Sequence, residues 1–109
     1  MVKFKKIKIK GRIIDVKVLK NIFSQARGLM FRSKSKSLLF VFHNKKRRAI
    51  HSFFCKPFIA IWLDGERIVE IKKVMPWKIS IKPAEKFDRL LEIPSNDVTF
   101  KEFLDEENL

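Results

Sequence analysis

Hydrophobic and polar residues alternate with period two over much of this 109-residue chain. Ile14, Val16 and Val18 alternate with Asp15 and Lys17, the signature of a half-buried strand. Before them, Val2 and Phe4 fall on one parity and Ile7 and Ile9 on the other, which predicts a bulge or register break across Lys5-Lys6. Gly11-Arg12 is the expected turn, so residues 1–20 read as an N-terminal β-hairpin. Asn21 and Gly28 bracket "NIFSQARG" as N-cap and C-terminal stop, which predicts a short helix over 21–28. "SKSKS" (33–37) reads as a loop. "LLFVF" (38–42) is a short apolar run of the kind that forms a buried strand. With "HNKKRR" (43–48) as turn and "AIHSFF" (49–54) as return, it predicts a hairpin over 38–54.

Pro57 breaks the following segment, and "FIAIWL" (58–63) reads as a second buried strand. Asp64-Gly65 is a strong turn signal, with "RIVEIKKV" (67–74) returning from it. "WKISIK" alternates between Pro76 and Pro83, placing Ile79 and Ile81 on one face. "FDRLLEI" (87–93) is the last long strand, and Pro94-Ser95-Asn96 turns the chain. Residues 95–109 form an acidic tail. There Thr99 is the expected cap of a short helix with Phe100, Phe103 and Leu104 on one side. Short strands punctuated about every ten residues predict an all-β domain, a compact and mostly antiparallel sandwich or barrel with one or two short helices. No repeat or low-complexity linker divides the chain, so 1–109 reads as a single domain.

Charge changes the picture next. The net charge is +13. Residues 1–56 carry 12 Lys and 5 Arg against Asp15 alone, whereas residues 57–109 carry 8 cations and 11 acids. Such asymmetry fits an anionic partner such as nucleic acid or an anionic membrane surface. It also fits the lysine-rich, glutamine-poor habit of heat-adapted proteomes, Gln25 being the single glutamine. Cys55 is the one cysteine, so no internal disulfide forms, as in a reducing compartment. The N-terminus lacks the apolar core of a signal peptide and no stretch is long enough to span a membrane. A cytoplasmic protein is expected.

"ARGLMFR" (26–32), followed by "LFVF" (39–42), "HSFF" (51–54), "LDGERIVEI" (63–71) and "LLEIP" (90–94), resembles the family called domain of unknown function 192, or uncharacterised ACR. The likeness spans about residues 22–94. It implies a compact, mostly antiparallel β-sandwich with a short helix near the GLM segment, and it implies no established activity. Two of the family's features are altered here. "FFCKP" (53–57) stands where much of the family has "FWMKNT", with Ile59 in the place of an Asp, and Ser95-Asn96-Asp97 is at best a remnant of a closing "G…GD". A polar pocket built from that Asn, Thr and Asp is not expected.

Candidate chemistry is sparse. Arg27 and Arg32 flank the GLM turn. They either grip an anion with their planar forks or serve structure, one capping helix carbonyls and the other pairing a carboxylate such as Glu92 or Asp64. With His51 and Lys56 they make the first candidate ligand surface. Lys34, Lys36, Lys45, Lys46, Arg47 and Arg48 make the alternative, a basic rim for non-specific nucleic-acid binding, or simply a solvated hairpin tip. The aromatics are mostly Phe at apolar positions. Trp62 is expected in the core and Trp77 partly exposed. Cys55 and His51 as nucleophile and base rank last, with no protease signature around them and a buried cysteine more often a small hydrophobe. His43, His51 and Cys55 lack metal-ligand spacing. Gly11, Gly28 and Gly65 form no phosphate loop. No catalytic residue, metal or cofactor is expected, and the partner is an unidentified ligand or protein.

Overall fold

The six strands of one sheet follow from the period-two segments, and their order places the candidate residues. The computed structural model describes residues 3–20 and 34–109. The expected helix over 21–28, with Gly28, Arg27 and Arg32, lies outside them. The strands are β1 (Lys3–Ile9), β2 (Arg12–Leu19), β3 (Ser37–Lys46), β4 (Phe58–Asp64), β5 (Arg67–Val74) and β6 (Phe87–Pro94), followed by helix α1 (Val98–Glu106). Their spatial order is β1-β2-β3-β6-β4-β5. All pairs are antiparallel except β2–β3. The fold is therefore mostly β with one short helix among the described residues. Among the described residues the strands form one six-stranded sheet, with β1 and β5 as its unpaired edges, so no barrel closes.

Both faces of this sheet are apolar. On one, Ile14 and Val16 of β2 lie with Leu39, Leu91, Ile93, Ile59, Ile61 and Leu63 in one buried cluster, completed by Phe103 of α1. Ile7 of edge strand β1 and Ile68 and Ile71 of edge strand β5 pack against the same cluster. A flat six-stranded sheet would hold its edges about 24 Å apart at 4.8 Å per strand. Ile7 and Ile9 of β1 nevertheless line one cleft with Gly65 and Glu66 of the β4–β5 turn, so the sheet curls, with this face concave. The convex face carries Leu19, Leu38, Phe40, Phe58, Ala60, Trp62, Val74, Phe87 and Leu90, covered in part by Ile50, Cys55 and Ile81 from long connections. Such two-sided burial explains why "FIAIWL" reads as a continuous apolar run.

Several local expectations are corrected. The β1–β2 register runs unbroken from Lys3↔Val18 to Ile9↔Arg12, so no bulge interrupts Lys5-Lys6. Phe4 instead stays on the outer face, 58% exposed. The turn is Lys10-Gly11, both at positive φ (50° and 81°), which suits a two-residue hairpin better than Gly11-Arg12. The hairpin over 38–54 does not form. β3 runs on through His43 to Lys46, pairing with β6 and, across a register irregularity, bringing Lys46 opposite Phe87. "AIHSFF" is not a strand. It contributes one antiparallel bridge, Ile50 to Ile81, through hydrogen bonds of 2.9 and 2.8 Å. Local alternation cannot see that the better partner for β3 lies about fifty residues away. In "WKISIK", Ile81 packs against the convex cluster while Ile79 is 78% exposed.

Helix α1 is capped by Asp97, not Thr99. The Asp97 Oδ1 accepts from Thr99 N at 3.0 Å and from the Thr99 hydroxyl at 2.7 Å, while Oδ2 accepts from Ser37 Oγ at the start of β3. Arg12 pairs with both Glu102 and Glu106 and lies over the Phe103 ring, and Lys10 Nζ reaches Glu107 at 2.7 Å. The acidic tail thus neutralises part of the basic hairpin within the molecule.

Candidate functional site

The connections after β3 and after β5 meet on the convex side, and one buried residue joins them. Ser52 Oγ donates to Met75 O at 2.6 Å and accepts from Lys78 N at 2.8 Å. Ser52 N donates to Lys78 O, and Ser52 O accepts from Trp77 N and Cys55 N. This network fixes two tight turns whose tips carry large aromatic residues. Phe54 (φ 58°) and Trp77 (φ 66°) both sit in the left-handed region, which costs a bulky residue about 1–2 kcal/mol and persists only where neighbours impose it. Their rings meet edge to face at 4.9 Å, and Phe53 lies 6.1 Å from Trp77. Phe54 is 49% and Trp77 60% exposed, beside exposed Met75 and Ile79. The expected exposure of Trp77 and burial of Trp62 (0% exposed) are both present.

His51 and Lys56 belong to this surface. His51 is half-buried against Phe53, their rings 5.1 Å apart, and its Nδ1 accepts from Phe53 N at 3.2 Å. Lys56 is exposed. Arg27 and Arg32 lie outside the described residues. Of the carboxylates weighed as their partners, Asp64 is engaged by Lys45 at 2.9 Å and Arg67 at 3.5 Å. The Lys45 hydrogen bond is the main reason its carboxyl is held below the usual range.

Glu92 is different. On β6 it stands between Leu38 of β3 and Ala60 of β4, buried on the convex face. No hydrogen bond or ion pair reaches it among the described residues, and burial pushes its carboxyl up to about 8. Pattern reading treats Glu92 only as a partner for an arginine. The signal available was its place in "LLEI", since a strand flanked by fully apolar strands buries its polar residue too.

Cys55 makes a poor nucleophile. Burial first, and the nearby Glu92 second, push its thiol up to about 11. Its Sγ donates to Phe53 O at 3.5 Å, and the His51 Nδ1 is occupied by a backbone N–H. Against an ordinary thiol of pKa 9.0, a shift of this size lowers the thiolate fraction at pH 8 about a hundredfold. Iodoacetamide should therefore label native Cys55 about a hundred times more slowly than the same protein in denaturant. Equal rates would show an accessible thiol of ordinary pKa, and a faster native rate an activated one. Among the described residues no three His, Cys, Asp or Glu side chains converge as metal ligands.

The basic tetrad is not a free hairpin tip. Lys45 pairs with Asp64, Arg47 Nε donates to Pro83 O at 2.6 Å, and Arg48 donates to Asn44 O while lying 4.3 Å over the Phe42 ring. Lys36 lies 5.8 Å over Phe4. Lys34 and Lys46 are exposed. Lys45 and Arg47 thus fasten the β3 extension to its neighbours, and Arg48 folds back on β3 itself. No described helix is long and apolar enough to cross a membrane.

No curated protein matches the sequence. Among solved structures, the chain is similar to a protein of unknown function from Novosphingobium aromaticivorans DSM 12444. The TM-score is 0.71 at 15% identity, covering 92% of this chain and 79% of that one. It is equally similar to a Sinorhizobium meliloti 1021 protein described as a "putative transcription regulator", with TM-score 0.71 at 19% identity, covering 90% and 83%. At these identities the likeness concerns the fold. A family profile matches residues 5–102, from within β1 to within α1, a wider span than the motifs outline. The chain therefore belongs to the family described as Uncharacterized ACR, domain of unknown function 192.

Proposed function

We propose that this chain is a non-catalytic binding domain whose ligand stacks on Trp77 and Phe54 and meets the surrounding cations. The observation that carries the reading is the exposed aromatic pair, held on two strained turns by the buried Ser52 network. Exposed aromatics fixed at an energetic cost mark recognition surfaces more often than accidents of packing. Residues 43–57 and 75–84, which build this side, contain no acid, and Lys56 and Lys78 flank the rings. The ligand class is thus an anion with a planar group. His51 and Lys56 lie at this surface, and Arg27 and Arg32 stay in the proposal by their place in the sequence.

A second reading is non-specific binding of single-stranded nucleic acid, which combines stacked bases with cations along a backbone. The same aromatic pair favours it. Lys34, Lys36 and Lys46 would serve as phosphate contacts, with Lys45, Arg47 and Arg48 contributing only from their internal pairings. One titration tests both. Trp62 is buried, so ligand-induced fluorescence change reports Trp77. Quenching by a mononucleotide, abolished in Trp77→Ala, supports the first reading. Quenching by oligothymidylate alone, with steep salt dependence, supports the second. No change with either defeats both. A reducing cytoplasm suits the lone Cys55, and co-fractionation of tagged protein with the cell envelope would reverse that placement.

A further inference from the structure

On the concave face, away from the aromatic turns, the curled sheet leaves a cleft of about 540 Å³ between edge strand β1 and the β4–β5 turn. This volume lies within the range of small-molecule sites. The cleft has an apolar floor and a cationic wall. Buried Leu39, Leu63 and Ile9 lie at its base, half-buried Ile7 presents apolar surface above them, and Lys5, on the parity of Ile7, and Arg89 supply the charge.

Arg89 is the telling residue. It stands on central strand β6, paired with Val41 on one side and Leu63 on the other, on the parity of Leu91 and Ile93. Its side chain therefore rises from the buried face between two apolar strands. A partly buried guanidinium at such a position ordinarily has a carboxylate. Arg89 has none among the described residues, and neither have Lys5 and Lys8. The other two lysines of the cleft are already matched, Lys6 to Asp15 and Lys10 to Glu107. Glu66 at the rim is the one acid of the lining and makes no ion pair among the described residues.

We propose that this cleft is a second binding site, for a small amphipathic oxyanion whose head meets Arg89 and Lys5 and whose short apolar body lies along Ile7. The planar fork of Arg89 matches a carboxylate or phosphate head, and covering half-buried Ile7 rewards an alkyl body. Inorganic phosphate offers only the head, and an alcohol of equal length only the body.

The test is titration of the full chain with octanoate, octanol and inorganic phosphate, followed by methyl NMR of Ile7 and by thermal shift. Octanoate should shift those methyls and raise Tm, with octanol and phosphate at least tenfold weaker. Arg89→Met keeps the stem and removes the charge, and should weaken octanoate tenfold or more. Lys5→Ser, on an exposed edge strand, should weaken it severalfold and serves if the first variant folds poorly. Trp77→Ala should leave octanoate binding unchanged, which separates this site from the aromatic surface. No response to millimolar octanoate, phosphate or octanol equalling it, or full binding by both variants would overturn the proposal.

Discussion

Replacing Glu92 by glutamine (Glu92→Gln) should flatten the stability of this protein between about pH 4.5 and pH 8, where the wild type loses stability as pH rises. The sign follows from the direction of the shift. Burial raises the folded carboxyl from 4.5 to about 8. Between those values the folded chain holds a proton that the unfolded chain has released. Stability therefore falls with pH across the window and levels off above about 8. Below 4.5 the acid is neutral in both states and costs nothing by charge. The whole effect is of the order of a few kcal/mol, since each pKa unit is worth about 1.4 kcal/mol. The glutamine side chain has the same shape and no proton to lose. Chemical denaturation of both proteins at half-unit pH steps checks this. The difference between the two curves isolates Glu92, because every other group titrates in both. A wild-type curve that rises with pH over the window, or a variant with the same slope, would show that a cation sits on the carboxylate.

Burial of this acid also marks where pattern reading stops. β4, β5 and β6 were legible because each is a compact apolar or alternating run bounded by Pro57, Asp64-Gly65 and Pro94. The amphipathic face of α1 was legible for the same reason. The partner of β3 was not. Its apolar run ends at Phe42, yet its backbone pairs onward to Lys46, and strand pairing over about fifty residues leaves no local trace. The parallel β2–β3 pair is hidden likewise. At the candidate surface, Trp77 was readable from its place between Pro76 and Lys78, but Phe54 was not, since it reads as one more apolar strand residue. Only the turn imposed at Ser52 sends it outward. Arg89 looks like an ordinary outward residue of "FDRLLEI" until the curl of the sheet puts that parity on the concave side.

Ser52→Ala should cost roughly 2–4 kcal/mol and disorder the aromatic surface with it. Alanine fills nearly the same space, so no cavity opens. What disappears is one hydroxyl that both donates to Met75 O and accepts from Lys78 N. Ser52 is fully buried, so water cannot replace either bond without entering the turn, and each stranded partner carries its own desolvation cost of about 1–3 kcal/mol. The turn has little reserve to absorb the loss, because Phe54 and Trp77 already hold unfavourable φ angles. Relaxing either residue to negative φ swings its ring away from the other. Urea denaturation measures the stability change, and acrylamide quenching of Trp77 reports the ring's release. Ser80→Ala, at an exposed position of the same connection, should stay within about 0.5 kcal/mol of wild type. If Ser52→Ala matches that control and still quenches with ligand as wild type does, the serine is a bystander. The two turns would then be held by their own backbone, and the exposure of Phe54 and Trp77 would owe nothing to it.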